Sequence, residues 1–234
     1  MKMKNSIAIA LVLIFGIFLF RIFGYHHTST ALNDSATYYN THAPAEVGTA
    51  NVVTAIVVTY RGLDTLGEVT VLFLTALIIG YILRHGNRKK PGKNYTSEIL
   101  ITAVNILIPG SIILGVYVFI NGHLTPGGGF QGGAIIATAI VLLILSNPTR
   151  LLNVRLLHFI ESISGFTYIL IGLAGLLLAG GFLDNRILPL GTVGDLLSAG
   201  AIPVIYSLIG LKVGTEISSF LSSINETKEN TVKP

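Results

Sequence analysis

Lys212 and Glu216 stand one helical turn apart inside an apolar run, Ala201 to Ile224. A spacing of four puts both side chains on one helix face. If the run crosses a bilayer, Lys212 sits about eleven residues in, near mid-depth. A lone charge there costs about 3 kcal/mol on insertion scales, so such residues face a protein interior. Two chemistries fit the pair: an ion pair that fixes helix packing, or a proton relay built on an amine in a low-dielectric site. Asp64 and Glu68 form a second pair with the same spacing, in Arg61-Gly62-Leu63-Asp64-Thr65-Leu66-Gly67-Glu68. Thr65 and Glu68 fit a capping box at a helix start. Asp64 and Glu68 equally fit carboxylates that accept protons or sodium ions where a helix enters the bilayer. His158 and Glu161, three apart, begin another apolar run; they could join a relay, but so near the cytoplasmic interface they read as interfacial polar residues. His26, His27 and His42 lie close in sequence, but nothing completes a metal-ligand set, and no bound metal or cofactor is expected.

A different kind of candidate is Asn121-Gly122-His123-Leu124-Thr125-Pro126-Gly127-Gly128-Gly129-Phe130-Gln131-Gly132-Gly133. Pro126 ends one helix, and the glycines permit left-handed backbone. Free N–H groups at the start of the next helix suit an anion or a partner's carbonyl. Gly128/Gly132 and Gly129/Gly133 are also GxxxG pairs, which let another helix approach closely. A phosphate loop is excluded by the lack of a following Gly-Lys-Ser/Thr. There is no nucleophile–base arrangement and no dinucleotide fingerprint, so a catalytic site is not expected in this chain.

The elements that must hold these residues are membrane helices. Charged residues are 11% of the 234, hydrophobic residues 51%, and the mean hydropathy is +0.73. A water-soluble fold of this size could not bury so much apolar surface; a lipid-embedded one need not. Six runs approach spanning length: Ile7 to Phe23, Leu66 to Leu83, Ile99 to Ile120, Phe130 to Leu145, Leu156 to Ala179, and Ala201 to Ile224. The fold class is therefore an all-α polytopic bundle of about six spans. Val47 to Tyr60 is apolar but short and β-branched, and reads as an interfacial or re-entrant element. Pro109 and Pro203 predict kinks in the third and sixth spans.

Lys and Arg concentrate in Arg84 to Lys93, at Arg150 and Arg155, and at Lys228 and Lys233. The positive-inside rule places these segments and both termini in the cytoplasm, with loops 25–46, 121–129 and 181–200 outside. The first run has the basic start of a signal peptide but lacks a small-x-small cleavage site, so it is expected to remain as a span. The basic segment divides the chain into a two-span part, 1–93, and a four-span part, 94–225, followed by a polar tail, 226–234. The net charge of +4 is explained by these loops and does not point to nucleic acid. The absence of cysteine excludes iron–sulfur clusters and cysteine-held zinc.

Two motifs carry a family resemblance. Gly122 to Gly133 resembles the signature of the B subunit of Mrp-type (Mnh-type) sodium/proton antiporters. So does Gly191-Thr192-Val193-Gly194-Asp195-Leu196-Leu197-Ser198-Ala199-Gly200-Ala201-Ile202-Pro203. Asn51 to Glu68 is similar to the C-terminal end of the Mrp A subunit, which in archaeal membrane-bound hydrogenases is a separate small E-type protein. In many relatives an aspartate stands where this chain has Thr59. The resemblance implies a fusion of E-like and B-like pieces in a many-subunit module in the cell membrane, exchanging sodium ions and protons. Its partners would be A- and D-like antiporter subunits, small C-, F- and G-like subunits, and lipid. Some such complexes carry a ferredoxin-linked hydrogenase or sulfur-reducing arm. The resemblance marks Glu68 for the ion route. It marks His123, Pro126, Gly127, Gly128, Gly129, Phe130, Gly132, Gly133, Gly191, Ser198, Gly200 and Pro203 for packing and gating.

Overall fold

The computed structural model of the chain describes residues 2–25, 31–84, 97–147 and 152–228. Their order is α1 (Lys2–Tyr25), α2 (Asp34–Val47), α3 (Val52–Thr54), a π-helical stretch (Ala55–Tyr60), α4 (Gly62–Arg84), α5 (Glu98–Ile120), α6 (Gly129–Ser146), α7 (Val154–Leu178), a 3-10 turn (Asn185–Ile187) and α8 (Ile202–Lys228). The fold is an all-α polytopic bundle. Among the described residues five helices are long and apolar enough to cross a membrane: Gly62–Ile82, Glu98–Ile120, Gly129–Ser146, Val154–Leu178 and Ile202–Ser223. The apolar part of α1, Ser6–Ile22, is shorter. The basic segment after Arg84, together with Arg150, His26, His27 and the last residues of the tail, lies outside the described residues.

The chain forms two compact units, Met1–Tyr38 and Tyr39–Pro234. In the first, every described side chain from Ser6 to Ile22 is exposed. A helix apolar on all sides suits lipid rather than water. α2 begins in this unit, inside what was expected to be an outer loop. Asn33 sets its start: the Ala36 N–H donates to Asn33 Oδ1 at 2.8 Å, and Asp34 complements the helix dipole.

In the second unit α8 is the central helix. Of its spanning window 56% is buried, against 11% for α4 and for α5. It packs against α4, α5, α6 and α7. Its first half contributes Ile202, Ile205, Tyr206, Ile209 and Val213 to a core completed by Val47, Val58, Tyr168 and Leu183.

Small residues set the spacing of this bundle. A Cβ on Gly132 would stand 2.5 Å from the Gly115 carbonyl oxygen of α5. A Cβ on Gly133 would stand 2.7 Å from the Gly210 carbonyl oxygen of α8, and one on Gly129 2.6 Å from Ile209 Cβ. Adjacent glycines on a helix point about 100° apart, so α6 meets α5 through one and α8 through the next.

Within 47–60 the short element covers only residues 52–60, since Val47 ends α2, and it leads into α4 with Arg61 alone between the two. β-Branched side chains crowd an α-helix, and the wider π turn relieves that crowding. The Arg61 N–H donates to Ile56 O at 2.8 Å, and Ala55 and Val58 are buried. α4 starts at Gly62, three residues before the expected cap. The Thr65 hydroxyl accordingly donates to Val57 O at 2.5 Å instead of capping the helix. Pro203 is the second residue of α8, where no N–H is needed, so it starts that helix rather than kinking a span. Pro109 does lie inside α5.

Candidate functional site

The strongest concentration of charge in the interior lies between α7 and α8. Lys212 Nζ donates to Glu216 Oε2 at 3.0 Å, as the one-turn spacing predicts. Lys212 is 7% exposed and Glu216 1%. The ammonium also stands 4.8 Å from the centre of the Phe73 ring of α4, a cation–π distance. Gly165 of α7 faces the lysine stem, and a Cβ there would lie 3.4 Å from Lys212 Cδ and Cε, in ordinary contact.

Two residues read from sequence as interfacial belong to the same cluster. Glu161 is 7% exposed, and its Oε1 lies 3.9 Å from Lys212 Nζ. Its Oε2 lies 3.2 Å from His158 Nδ1. Because a carboxylate only accepts, Nδ1 carries a proton, and Nε2 stands 3.4 Å from the Ser219 hydroxyl. The His158 side chain is 52% exposed. The cluster thus runs from the surface at the start of α7 to the buried ammonium. Glu216 Oε1 is buried and has no hydrogen-bond partner.

Asp64 and Glu68 are placed differently. Both are exposed at the start of α4. Asp64 pairs with Arg61, whose Nε donates to Asp64 Oδ2 at 2.6 Å. Glu68 presents its carboxylate on the outside of this chain, so the structure does not bring these two acids together with Lys212 and Glu216.

The two glycine-containing motifs meet in a polar knot that sequence reasoning missed. Thr49 Oγ1 donates to His123 O at 2.6 Å, and Thr54 Oγ1 donates to Gly122 O at 2.6 Å. Asn51 Nδ2 donates to Gly122 O at 2.9 Å and to Thr125 O at 3.0 Å, while Asn51 Oδ1 caps α3. The second motif is held by Asn185, whose Nδ2 donates to Val47 O at 2.8 Å and Ala199 O at 2.9 Å. Gly200, at φ +57°, approaches the Asn185 carbonyl too closely for any side chain, and Gly191 also lies in the left-handed region at φ +65°. Gly128 and Gly129 are buried against Tyr206 and Ile209, and Gly127 is half-buried beside Val118. Helix packing therefore occupies this turn. Phe130 packs on the core, and Ser198 is fully buried with its hydroxyl unpartnered. Pro126 is exposed beside these residues. The Asn51 cap was the one legible signal, an Asn just before Val52-Val53-Thr54.

His123 is fully buried at the centre of the knot. Its Nε2 lies 3.4 Å from the Asp195 carbonyl oxygen, and its Nδ1 has no partner. Burial lowers its pKa from 6.5, opposed by the nearby backbone at Asp195, Ile120 and Leu196. Between that lowered value and 6.5 the unfolded chain binds more protons than the folded one. The stability tied to the neutral imidazole is therefore complete above about pH 6.5 and declines as pH falls toward the folded value, by at most about 1.4 kcal/mol per pH unit. Melting in detergent micelles is expected to show this decline, and His123→Gln to flatten it. An unchanged slope in the variant would refute the assignment. Asp184 acts in the same direction: its hydrogen bonds with Arg186 hold its carboxyl below the usual range, so its contribution is also lost as pH falls.

A family model described as a domain related to the MnhB subunit of Na+/H+ antiporters matches residues 99–219. The chain belongs to this family. A second model, MbhE, which describes the E component of MBH, matches residues 2–97. This MnhB-family chain is 39% identical to a chain of the membrane-bound sulfane sulfur reductase, an archaeal respiratory membrane complex. That match has a TM-score of 0.81 and covers 95% of this chain and 98% of the other. The chain is also 29% identical to the uncharacterized protein MJ1307 of Methanocaldococcus jannaschii, over 95% of this chain and 94% of that one. A chain of the Mrp complex from Dietzia shares the fold, with a TM-score of 0.79 at 23% identity; all of this chain matches 27% of that one.

Proposed function

We propose that this chain is a multi-pass membrane subunit of a multisubunit Mrp-type cation/proton antiport module. Its family and the respiratory complex that holds a full-length homologue support this reading. The observation that carries an ion-handling role is the buried Lys212–Glu216 pair in α8. Charges so deep in a spanning helix are costly and mark ion paths. In the same reading the transported ions are Na+ and H+, and A- or D-like antiporter subunits with small C-, F- and G-like subunits cover the exposed apolar faces of α4 and α5. The E-like and B-like pieces join at the basic segment, and both termini lie on the cytoplasmic side of the cell membrane. An attached hydrogenase or sulfur-reducing arm would belong to the partners.

Glu68 is proposed as this chain's contribution at the mouth of the route, because its carboxylate is exposed at the membrane entry of α4. Asp64, already held by Arg61, has a lesser part. In the assembled complex, Glu68→Gln should slow sodium-dependent antiport by about ten-fold or more, while Glu68→Asp should retain part of it. Wild-type antiport in both variants would remove Glu68 from the route. A scaffold without ion-path residues would then remain, a reading favoured by the glycine contacts of α6 with α5 and α8.

A further inference from the structure

The antiport reading leaves open how a proton reaches the middle of this chain. His158, Glu161, Lys212 and Glu216 form a run of donors and acceptors, with separations of 3.2, 3.9 and 3.0 Å, between an exposed imidazole and a buried carboxylate. We propose that these four side chains form a proton-loading site of one-proton capacity, filled through His158 from the membrane face where α7 begins.

Charge counting supports the capacity. With both carboxylates ionised, the lysine charged and the histidine neutral, the buried cluster carries one uncompensated negative charge. One added proton cancels it, and an uncompensated buried charge is unfavourable. α6, which also packs on α8, contains no titratable residue in Gly129–Ser146, and α4 presents the Phe73 ring to the ammonium. The remaining acids of α4, Asp64 and Glu68, lie at its exposed start. α5 carries Glu98 in its first turn and Tyr117 in its last, both exposed. Glu216 Oε1, buried and unpartnered, is the position where the loaded proton can reside without displacing an existing hydrogen bond.

The transfer balances at each step. A proton from water adds to His158 Nε2, displacing the Ser219 hydroxyl. The Nδ1–H bond breaks and the proton joins Glu161 Oε2, leaving the histidine neutral in its Nε2–H tautomer, which a turn of the ring resets. Lys212 passes one ammonium proton to Glu216 Oε2, and rotation of that carboxyl turns the new O–H to the unpartnered position and presents the other oxygen to the lysine. Rotation of the Glu161 carboxyl and an approach of about 1 Å, closing the 3.9 Å gap to hydrogen-bonding distance, let the lysine regain a proton from Glu161. One proton has then moved from water to Glu216, and the other groups have their starting charges. Gly165 permits the approach, because no side chain stands between the lysine stem and the α7 backbone.

This inference rests on the antiport reading for its role but not for its test. In the purified complex, proton-dependent difference infrared spectra should show a carboxylic-acid C=O band that shifts in D2O. Glu216→Gln should abolish that band. His158→Gln, which keeps a hydrogen-bonding side chain, should slow its appearance by about ten-fold or more, and added imidazole should restore the rate, which a purely structural histidine would not allow. Glu161→Gln should slow loading in the same way without imidazole rescue. Retention of the band in Glu216→Gln, or wild-type loading in both His158→Gln and Glu161→Gln, would overturn the proposal. Complexes that show the band yet exchange no cations would instead refute the antiport reading alone.

Discussion

Gly132→Ala is expected to destabilise the protein by about 3 kcal/mol, and larger residues there to prevent its recovery as a monodisperse species. Overpacking a core commonly costs about 1–3 kcal/mol, and the upper end applies when the obstacle cannot rotate away. Here the obstacle is the backbone oxygen of Gly115, 2.5 Å from the new methyl group, with Phe119 Cβ at 3.0 Å. Relief requires α5 and α6 to separate, which also pulls Gly133 away from α8. Gly80→Ala in α4 is the control. A Cβ there meets nothing within 4 Å, so the substitution should be neutral or stabilising by up to about 1 kcal/mol through helix propensity. Thermal melts in one detergent compare the two. Equal melting temperatures would show that the α5–α6 contact is looser than described.

The second large effect is expected at Lys212. Lys212→Met removes the only ammonium facing Glu161 and Glu216 among the described residues, leaving Glu216 buried with a charge and no cation. Breaking a buried ion pair in this way costs about 3–5 kcal/mol. Adding Glu216→Leu to Lys212→Met should return much of that loss, because the pair is then replaced by apolar side chains of similar size. A double-mutant cycle on melting free energies reads this as a coupling well above the few tenths of a kcal/mol seen for independent sites. Additive costs would mean that Glu216 does not depend on Lys212. Arg at position 212 is not a conservative replacement, since the wider guanidinium must fit beside Gly165 and over Phe73.

The membrane helices were legible because hydrophobic length is a local property. The run Ile99 to Ile120 became Glu98–Ile120, and Phe130 to Leu145 became Gly129–Ser146. Lys212 with Glu216 was legible for the same reason: a spacing of four on one helix brings its own partner. α2 was missed because Asp34–Val47 is polar and has no strong apolar period. The start of α4 was placed three residues late because a Thr–x–x–Glu pattern also occurs inside helices; the competing acceptor, Val57 O, is exposed only by the π turn before it.

Glu161 and His158 show the limit most clearly. Their spacing implied each other but nothing beyond α7. Whether Glu161 faces lipid, water or Lys212 depends on the rotation of α7 about its axis and on its antiparallel register with α8. Gly165 lies against Lys212 of α8, while Gly172 and Gly175 hold the loop at 181–184 against α7. The meeting of the two glycine motifs is likewise nonlocal, since Asn51 reaches Gly122 and Asn185 reaches Val47 across long stretches of chain. By itself the sequence determined that this is a bundle of apolar helices, where the buried lysine finds its first carboxylate, and which motifs place the chain among MnhB-related subunits. Those properties rest on composition and on contacts within a few residues. Tertiary structure alone decided that a second carboxylate and a histidine join that lysine, and that Glu68 stands apart from them. Such facts depend on the relative rotation and depth of packed helices, which close glycine contacts control and linear spacing does not encode.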